Sequence, residues 1–305
     1  MNETNLKIIN MSDVESKEIS WLWYPFIPYG KLTIIQGDPG EGKTTLVLNI
    51  AAVLSKGQGL DEHMNPEQPL HIIYQTAEDG LADTVKPRLE KAQADCNNIF
   101  VIDETDVSLS MLDERIEQAI LKEKAKLMIL DPIQAYLGAK MDMNRANEAR
   151  DMTKHLGQVA ERTGCAIVLI GHMNKNSNGK SSYRGLGSID FQAAARSVLI
   201  VGRIKDEPEI RVVCHVKSSL APEGKSIAFR LDKDTGFEWI GEYDISADDL
   251  LSGDSRGQKS RKAKEFLLEI LANGGMAQKK IEEEAENRGI KKKTLRNAKL
   301  ELEID

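Results

Sequence analysis

Between Lys31 and about Leu231, short apolar runs alternate with longer stretches in which apolar residues recur every three or four positions. The runs LTIIQG (32–37), LHIIYQT (70–76), NIFVID (98–103), LMILDP (127–132) and CAIVLIGHM (165–173) read as strands. The stretches at 44–57, 81–95, 111–124 and 146–164 read as helices, the first ended by Gly57 and the second broken or kinked at Pro87. Strands that alternate with amphipathic helices are βαβ units, so the pattern predicts a mostly parallel sheet covered by helices. LHIIYQT comes directly after the first helix and is expected to lie beside LTIIQG.

After Ser188 the rhythm changes. The runs 195–204, 209–219 and 226–232 have short connections and read as an antiparallel extension of the sheet. Residues 241–262 lose periodicity and gain Asp, Ser and Gly, which marks a linker. Beyond it, 263–275, 279–289 and 292–303 read as three short helices. The expected fold is α/β: a mostly parallel twisted sheet with helices on both faces and an antiparallel extension, plus a small all-α C-terminal domain. The expected divisions are 1–240 (core about 20–232), a linker at 241–262, and 263–305.

The chain of 305 residues is long enough for one large domain and a small one, and 41% hydrophobic residues suffice for a sizeable core. No apolar run approaches the ~18 residues of a membrane span. The first twenty residues carry Asp13, Glu15 and Glu18 and no apolar stretch of a secretory signal. Cys96, Cys165 and Cys214 form neither a CxxC pair nor a disulfide framework. A cytoplasmic location and no membrane partner are therefore expected. The net charge is −7, yet from Arg256 onward 13 Lys/Arg face 9 Asp/Glu, so any contact with nucleic acid is expected to be local.

The run Gly37-Asp38-Pro39-Gly40-Glu41-Gly42-Lys43-Thr44 fits GxxxxGK[ST] between a predicted strand and a predicted helix. Glycines let the backbone wrap a phosphate, and the exposed N–H groups with the helix N-terminus supply positive potential. Lys43 is placed to neutralise the terminal phosphates of ATP, and the Thr44 hydroxyl to ligate Mg²⁺, with Thr45 completing the contact run. Asp131 ends a strand that reads as fully buried and suits the second Mg²⁺-holding position. Glu78, in TAEDG after the next strand, reads as the base that polarises the attacking water. The alternative is a solvated Glu-Asp turn capping the following helix, a task open to Asp79. His172 ends another strand, where it is either a γ-phosphate contact or an ordinary satisfied polar group. Trp21, Trp23, Tyr24 and Phe26 precede the first core strand and read as core packing, with an exposed base-stacking or subunit-docking cluster as the other option.

Taken in order, GDPGEGKTT, IYQTAEDG, LMILDPIQAYLG, AERTGCAIVLIGHMNK and SSYRGLGSIDFQAAARSVLIV resemble the ATPase core of RecA-like replicative helicases. The nearest type is the RepA-like hexameric helicase of mobilisable plasmids, with the related AAA-type ATPases of phages and integrated elements. The resemblance covers about residues 20–232. It implies ring hexamers that bind ATP and Mg²⁺ between subunits and translocate on single-stranded DNA, with other replication proteins as possible partners. It also implies that Lys43, Thr44, Asp131 and Glu78 serve as above, with His172 as sensor. The segment 175–190, with Lys175, Lys180 and Arg184, would face the DNA. Such helicases carry a late Lys-x-Arg pair that reaches a neighbour's γ-phosphate. Here Lys217 is present but Ser219 stands in the arginine position, with Arg203 as the alternative donor. The last helices resemble helix-turn-helix or winged-helix tails, which would set Lys291, Lys292, Lys293, Arg296 and Lys299 against phosphates. The reading is a DNA helicase or helicase-like replication ATPase. Its rivals are a RadA- or KaiC-like ATPase that loads or remodels partners, and a DNA-binding regulator that uses ATP only to assemble.

Overall fold

The computed structural model describes residues 8–61, 66–137, 146–173, 189–232, 234–252, 256–272, 274–302 and 304. A strand pair, β1 (Trp21–Trp23) and β2 (Ile27–Pro28), precedes β3 (Leu32–Gly37) and α1 (Lys43–Ser55). Then follow β4 (Ile72–Thr76), α2 (Lys86–Lys91), β5 (Ile99–Phe100), α3 (Glu114–Glu123), β6 (Leu127–Asp131), α4 (Ala146–Thr163) and β7 (Ala166–His172). After α5 (Ile189–Ala194) come β8 (Ser197–Ile204), β9 (Glu207–Ser218), β10 (Ile227–Asp232) and β11 (Gly236–Glu242). Four helices follow: α6 (Ala247–Ser252), α7 (Arg256–Leu271), α8 (Gln278–Asn287) and α9 (Lys292–Glu301). No helix among the described residues is long and apolar enough to cross a membrane.

The main sheet runs β11-β10-β9-β8-β3-β7-β6-β4-β5. Its strands β8, β3, β7, β6, β4 and β5 are parallel, and β8 through β11 form an antiparallel meander. The central strands are buried on both faces, and their side chains divide between two cores with period two. Leu127 and Ile129 of β6 pack with α1 and α2, whereas Met128 and Leu130 pack with α3 and α4. The strand order corrects two expectations. LHIIYQT does not neighbour the first core strand, because β7 and β6 lie between β3 and β4. With right-handed crossovers, α1 and α2 on one face carry the chain outward, and α3 and α4 on the other bring it back to fill the gap. The run 195–204 also belongs to the parallel part: Thr33 pairs with Ser197 and Gln36 with Ile200. The antiparallel extension begins only at its far edge.

The strand expected at 98–103 is only two residues long. Beyond Phe100 the side chain of Gln75 replaces the ladder: its Oε1 accepts the Ile102 N–H at 2.9 Å and its Nε2 donates to Ile102 O at 3.0 Å. The helix expected over 81–95 ends at Lys91, and near its proline it changes form without breaking: a π-helical turn at Leu81–Val85 runs directly into α2, whose first turn holds Pro87. Residues 241–262, where a linker is expected, hold the end of β11, all of α6 and the start of α7. The Ser246 hydroxyl caps α6 by accepting Asp249 N–H at 3.1 Å. Leu250 then packs on Gly202, where an added Cβ would lie 3.0 Å from the leucine. The three C-terminal helices pack around Phe266, Leu267, Ile281 and Leu295.

Of the N-terminal aromatics, Trp23 and Phe26 are buried in the α1-side core, while Tyr24 is 40% exposed. Phe26 stacks on His215 with ring centroids 4.8 Å apart. The Gly224 N–H donates to His215 Nδ1 at 3.0 Å, which leaves the proton of a neutral ring on Nε2, facing Ser197 Oγ at 3.3 Å. Burial pushes the His215 pKa down to about 4. Below an unfolded value near 6.5, the unfolded chain takes up a proton that the folded chain refuses until about pH 4, so stability falls as pH falls through that window. This group alone should cost about 2 kcal/mol between pH 7 and pH 5. Denaturant unfolding at both pH values checks it: His215→Gln should flatten the slope, and an unchanged slope would assign the loss to other groups.

Candidate functional site

β3 delivers the chain to a glycine turn at the C-terminal edge of the parallel sheet, where open α/β folds bind ligands. An added Cβ on Gly37 would lie 2.2 Å from the Val201 carbonyl oxygen, so only glycine permits this approach of β3 to β8. Gly42 is the N-cap of α1 at φ 89°, with no side chain capping the helix. The first N–H groups of α1 are therefore available to an anion.

Lys43, Thr44, Asp131 and His172, all expected at the site, meet at this turn. Lys43 is 5% exposed, and its Nζ donates to Gly37 O and Asp38 O, both at 2.8 Å. His172 Nδ1 lies 3.4 Å from the same ammonium, because Gly37 and His172 are paired across β3 and β7. Thr44 Oγ1 donates to Asp131 Oδ2 at 2.7 Å. Thr76 at the end of β4 pairs with Asp131 at the end of β6, which puts Glu78 just beyond the same edge. Glu78 is exposed, and its charge reaches both Lys43 and His172. Its neighbour Asp79 pins the loop instead: Asp79 N–H donates to Thr76 Oγ1 at 3.3 Å, and Arg88 Nη1 donates to Asp79 Oδ2 at 2.7 Å.

Burial sets the electrostatics. It lowers the Lys43 pKa, opposed by Asp131, Asp38, Glu41 and Glu78. It raises that of Asp131, opposed by hydrogen bonds from Thr44 and Tyr74 and by the Lys43 charge. Burial and then Lys43 lower that of His172, so the ring favours its neutral form.

Two contributors escaped the sequence reading. Tyr74, fully buried in β4, donates its hydroxyl to Asp131 Oδ2 at 3.1 Å. Arg211 of β9, 7% exposed, places Nε 4.0 Å from Glu41 Oε2. Arg203 joins it, 3.7 Å from Glu41 Oε1 and donating to Gly40 O at 3.3 Å. Arg203 thus sits at the glycine turn of its own chain.

Lys217 does not come to this turn. It pairs with Val198 near the opposite end of the sheet, and its Nζ donates to Gln192 O, Ala193 O and Ala195 O at 2.8–3.0 Å. It caps the C-terminus of α5. Lys175, Lys180 and Arg184 lie outside the described residues. On the C-terminal helices, Lys291, Lys292, Lys293 and Arg296 are exposed and Lys299 is half-buried, with Lys292 3.3 Å from Glu282.

The model of the AAA domain family matches residues 3–178, more than half of the chain. The chain belongs to this family. It is 29% identical over 165 residues to the DNA repair protein RadA of Halalkalibacterium halodurans, covering 53% of this chain and 32% of that protein. RadA of Escherichia coli is 28% identical over 151 residues, covering 49% and 29%. The chain therefore spans about a third of the length of the curated relatives it matches. Among solved structures, a DnaB-like replicative helicase superposes with TM-score 0.53 at 15% identity, over 68% of this chain and 57% of that one. The fold of this AAA-family chain is that of RecA-like P-loop ATPases.

RecA-like P-loop ATPases use ATP with Mg²⁺. The donor set here fits a hard divalent cation, since a hydroxyl and a carboxylate meet at the start of α1, beside the lysine.

Proposed function

We propose that this chain is an ATP-hydrolysing motor acting on DNA, a helicase or helicase-like replication ATPase of a mobile element or phage. The observation that carries the reading is the meeting of Lys43, Thr44, Asp131 and His172 at one glycine turn, with Glu78 just beyond the same edge of the sheet. The α1 N-terminus and Lys43 bind the terminal phosphates of ATP. Thr44 and Asp131 hold Mg²⁺, which when bound draws charge from the phosphate being cleaved. Glu78 orients a water for in-line attack and accepts its proton. His172, neutral and beside Lys43, contacts the γ-phosphate and registers its loss. Arg203 and Arg211, joined to the turn through Glu41, steady its tip. Lys217 anchors α5, which begins within the last two residues of the 175–190 segment assigned to single-stranded DNA. Chains assemble as a ring hexamer, and Lys293 and Arg296 on the outer side of α9 add phosphate contacts.

The decisive measurement is the ATPase rate with and without single-stranded DNA. We expect turnover that DNA stimulates severalfold, and absence of any turnover would end the motor reading. A second reading is favoured by the RadA relatives, which are named as DNA repair proteins: an ATPase of that kind rather than a helicase. Displacement of a forked duplex supports the helicase, whereas DNA-stimulated hydrolysis with no displacement supports the second reading.

A further inference from the structure

Asp131 Oδ2 accepts two hydrogen bonds, from Thr44 on α1 at 2.7 Å and from Tyr74 on β4 at 3.1 Å. We propose that Tyr74 is a positioning residue that fixes the Asp131 carboxylate so that Thr44 can present its oxygen to a divalent cation. The inference rests on the reading of Thr44 and Asp131 as the metal-holding pair.

The geometry follows from strand register. Tyr74 pairs with Ile129 across β4 and β6, and side chains two apart on a strand share a face. Tyr74 and Asp131 therefore point to the same side of the sheet, toward α1. The tyrosine ring is fully buried in the core formed with α1, so its hydroxyl has a fixed place. A carboxylate turns easily about its last torsion, which is broad rather than three-fold. Tyr74 removes that freedom. A threonine hydroxyl offers a lone pair to a metal only while its proton is directed elsewhere, and here that proton goes to the oxygen that Tyr74 holds. Tyr74 is the donor of this pair, because a carboxylate oxygen can only accept. Partners of ligating carboxylates commonly act this way on metal affinity without touching the metal.

The test is Tyr74→Phe, which keeps the ring and deletes only the hydroxyl. Mn²⁺ replaces Mg²⁺ as the probe, and its binding to the protein with ADP is followed by electron paramagnetic resonance. Expected is a loss of Mn²⁺ affinity of roughly tenfold, with ADP affinity in EDTA unchanged. In ATPase assays the half-saturating Mg²⁺ concentration should rise by a similar factor, while kcat at saturating Mg²⁺ stays near the wild-type value. Wild-type Mn²⁺ affinity in Tyr74→Phe overturns the proposal. So does an equal loss of metal-free ADP affinity, which would mark a merely structural role. Asp131→Asn separates the two levels. If it leaves Mn²⁺ affinity intact, the metal-site reading itself falls. If it lowers affinity while Tyr74→Phe does not, only the role of Tyr74 falls.

Discussion

Lys43→Ala is expected to abolish ATP turnover, with kcat falling roughly 10³-fold or more, the scale for removing a cation that stabilises a transferring phosphoryl group. The side chain is 5% exposed and starts at the first residue of α1, where the glycine turn ends. Its ammonium is held by Gly37 O and Asp38 O, 3.4 Å from His172. The folded state should tolerate the change. Burying an ammonium is costly, and burial already lowers its pKa here, so deletion relieves that penalty while losing two bonds to carbonyls. The unfolding temperature without nucleotide should therefore hold, while the stabilisation produced by ATP and Mg²⁺ should vanish. A rate unchanged from wild type would remove the glycine turn from the chemistry altogether.

What the sequence disclosed about this site depended on how local each feature is. The glycine turn is contiguous, and its requirement for small residues shows directly at Gly37 and Gly42. Asp131 was legible because a fully apolar run ends abruptly in a carboxylate. Glu78 and His172 were legible as polar residues at strand ends, but their approach to Lys43 depended on strand order. That order escaped, because nothing local to LHIIYQT says that two later strands will insert beside it. The strongest hint was compositional: LMILD and AIVLIG are apolar on both faces and so belong at the centre of the sheet, whereas the two-residue β5 belongs at its edge. Tyr74 reads as an ordinary β-former, and only the register of β4 on β6 turns it toward Asp131. Arg211 lies 170 positions from Glu41 in sequence and meets it only through the antiparallel meander. The helix α6 carried a local signal, Ser246 three residues ahead of Asp249, which the surrounding polar composition concealed.

Glu78→Gln should separate catalysis from binding. As a base that orients water, Glu78 is worth about 10²–10⁴ in kcat. It makes no hydrogen bond among the described residues, so the isosteric amide should leave the KM for ATP close to wild type. The loop that carries it should also keep its place, since the contacts that pin it belong to Thr76, Asp79 and Arg88. The carboxylate does act at a distance, because its charge raises the pKa of both Lys43 and His172. Its loss leaves each of them less inclined to carry a proton. Nucleotide binding, followed by thermal stabilisation with ATP and Mg²⁺, should survive while steady-state turnover collapses. If Glu78 is instead a solvated partner in a Glu-Asp turn, turnover in Glu78→Gln will match the wild type, and another group must orient the water.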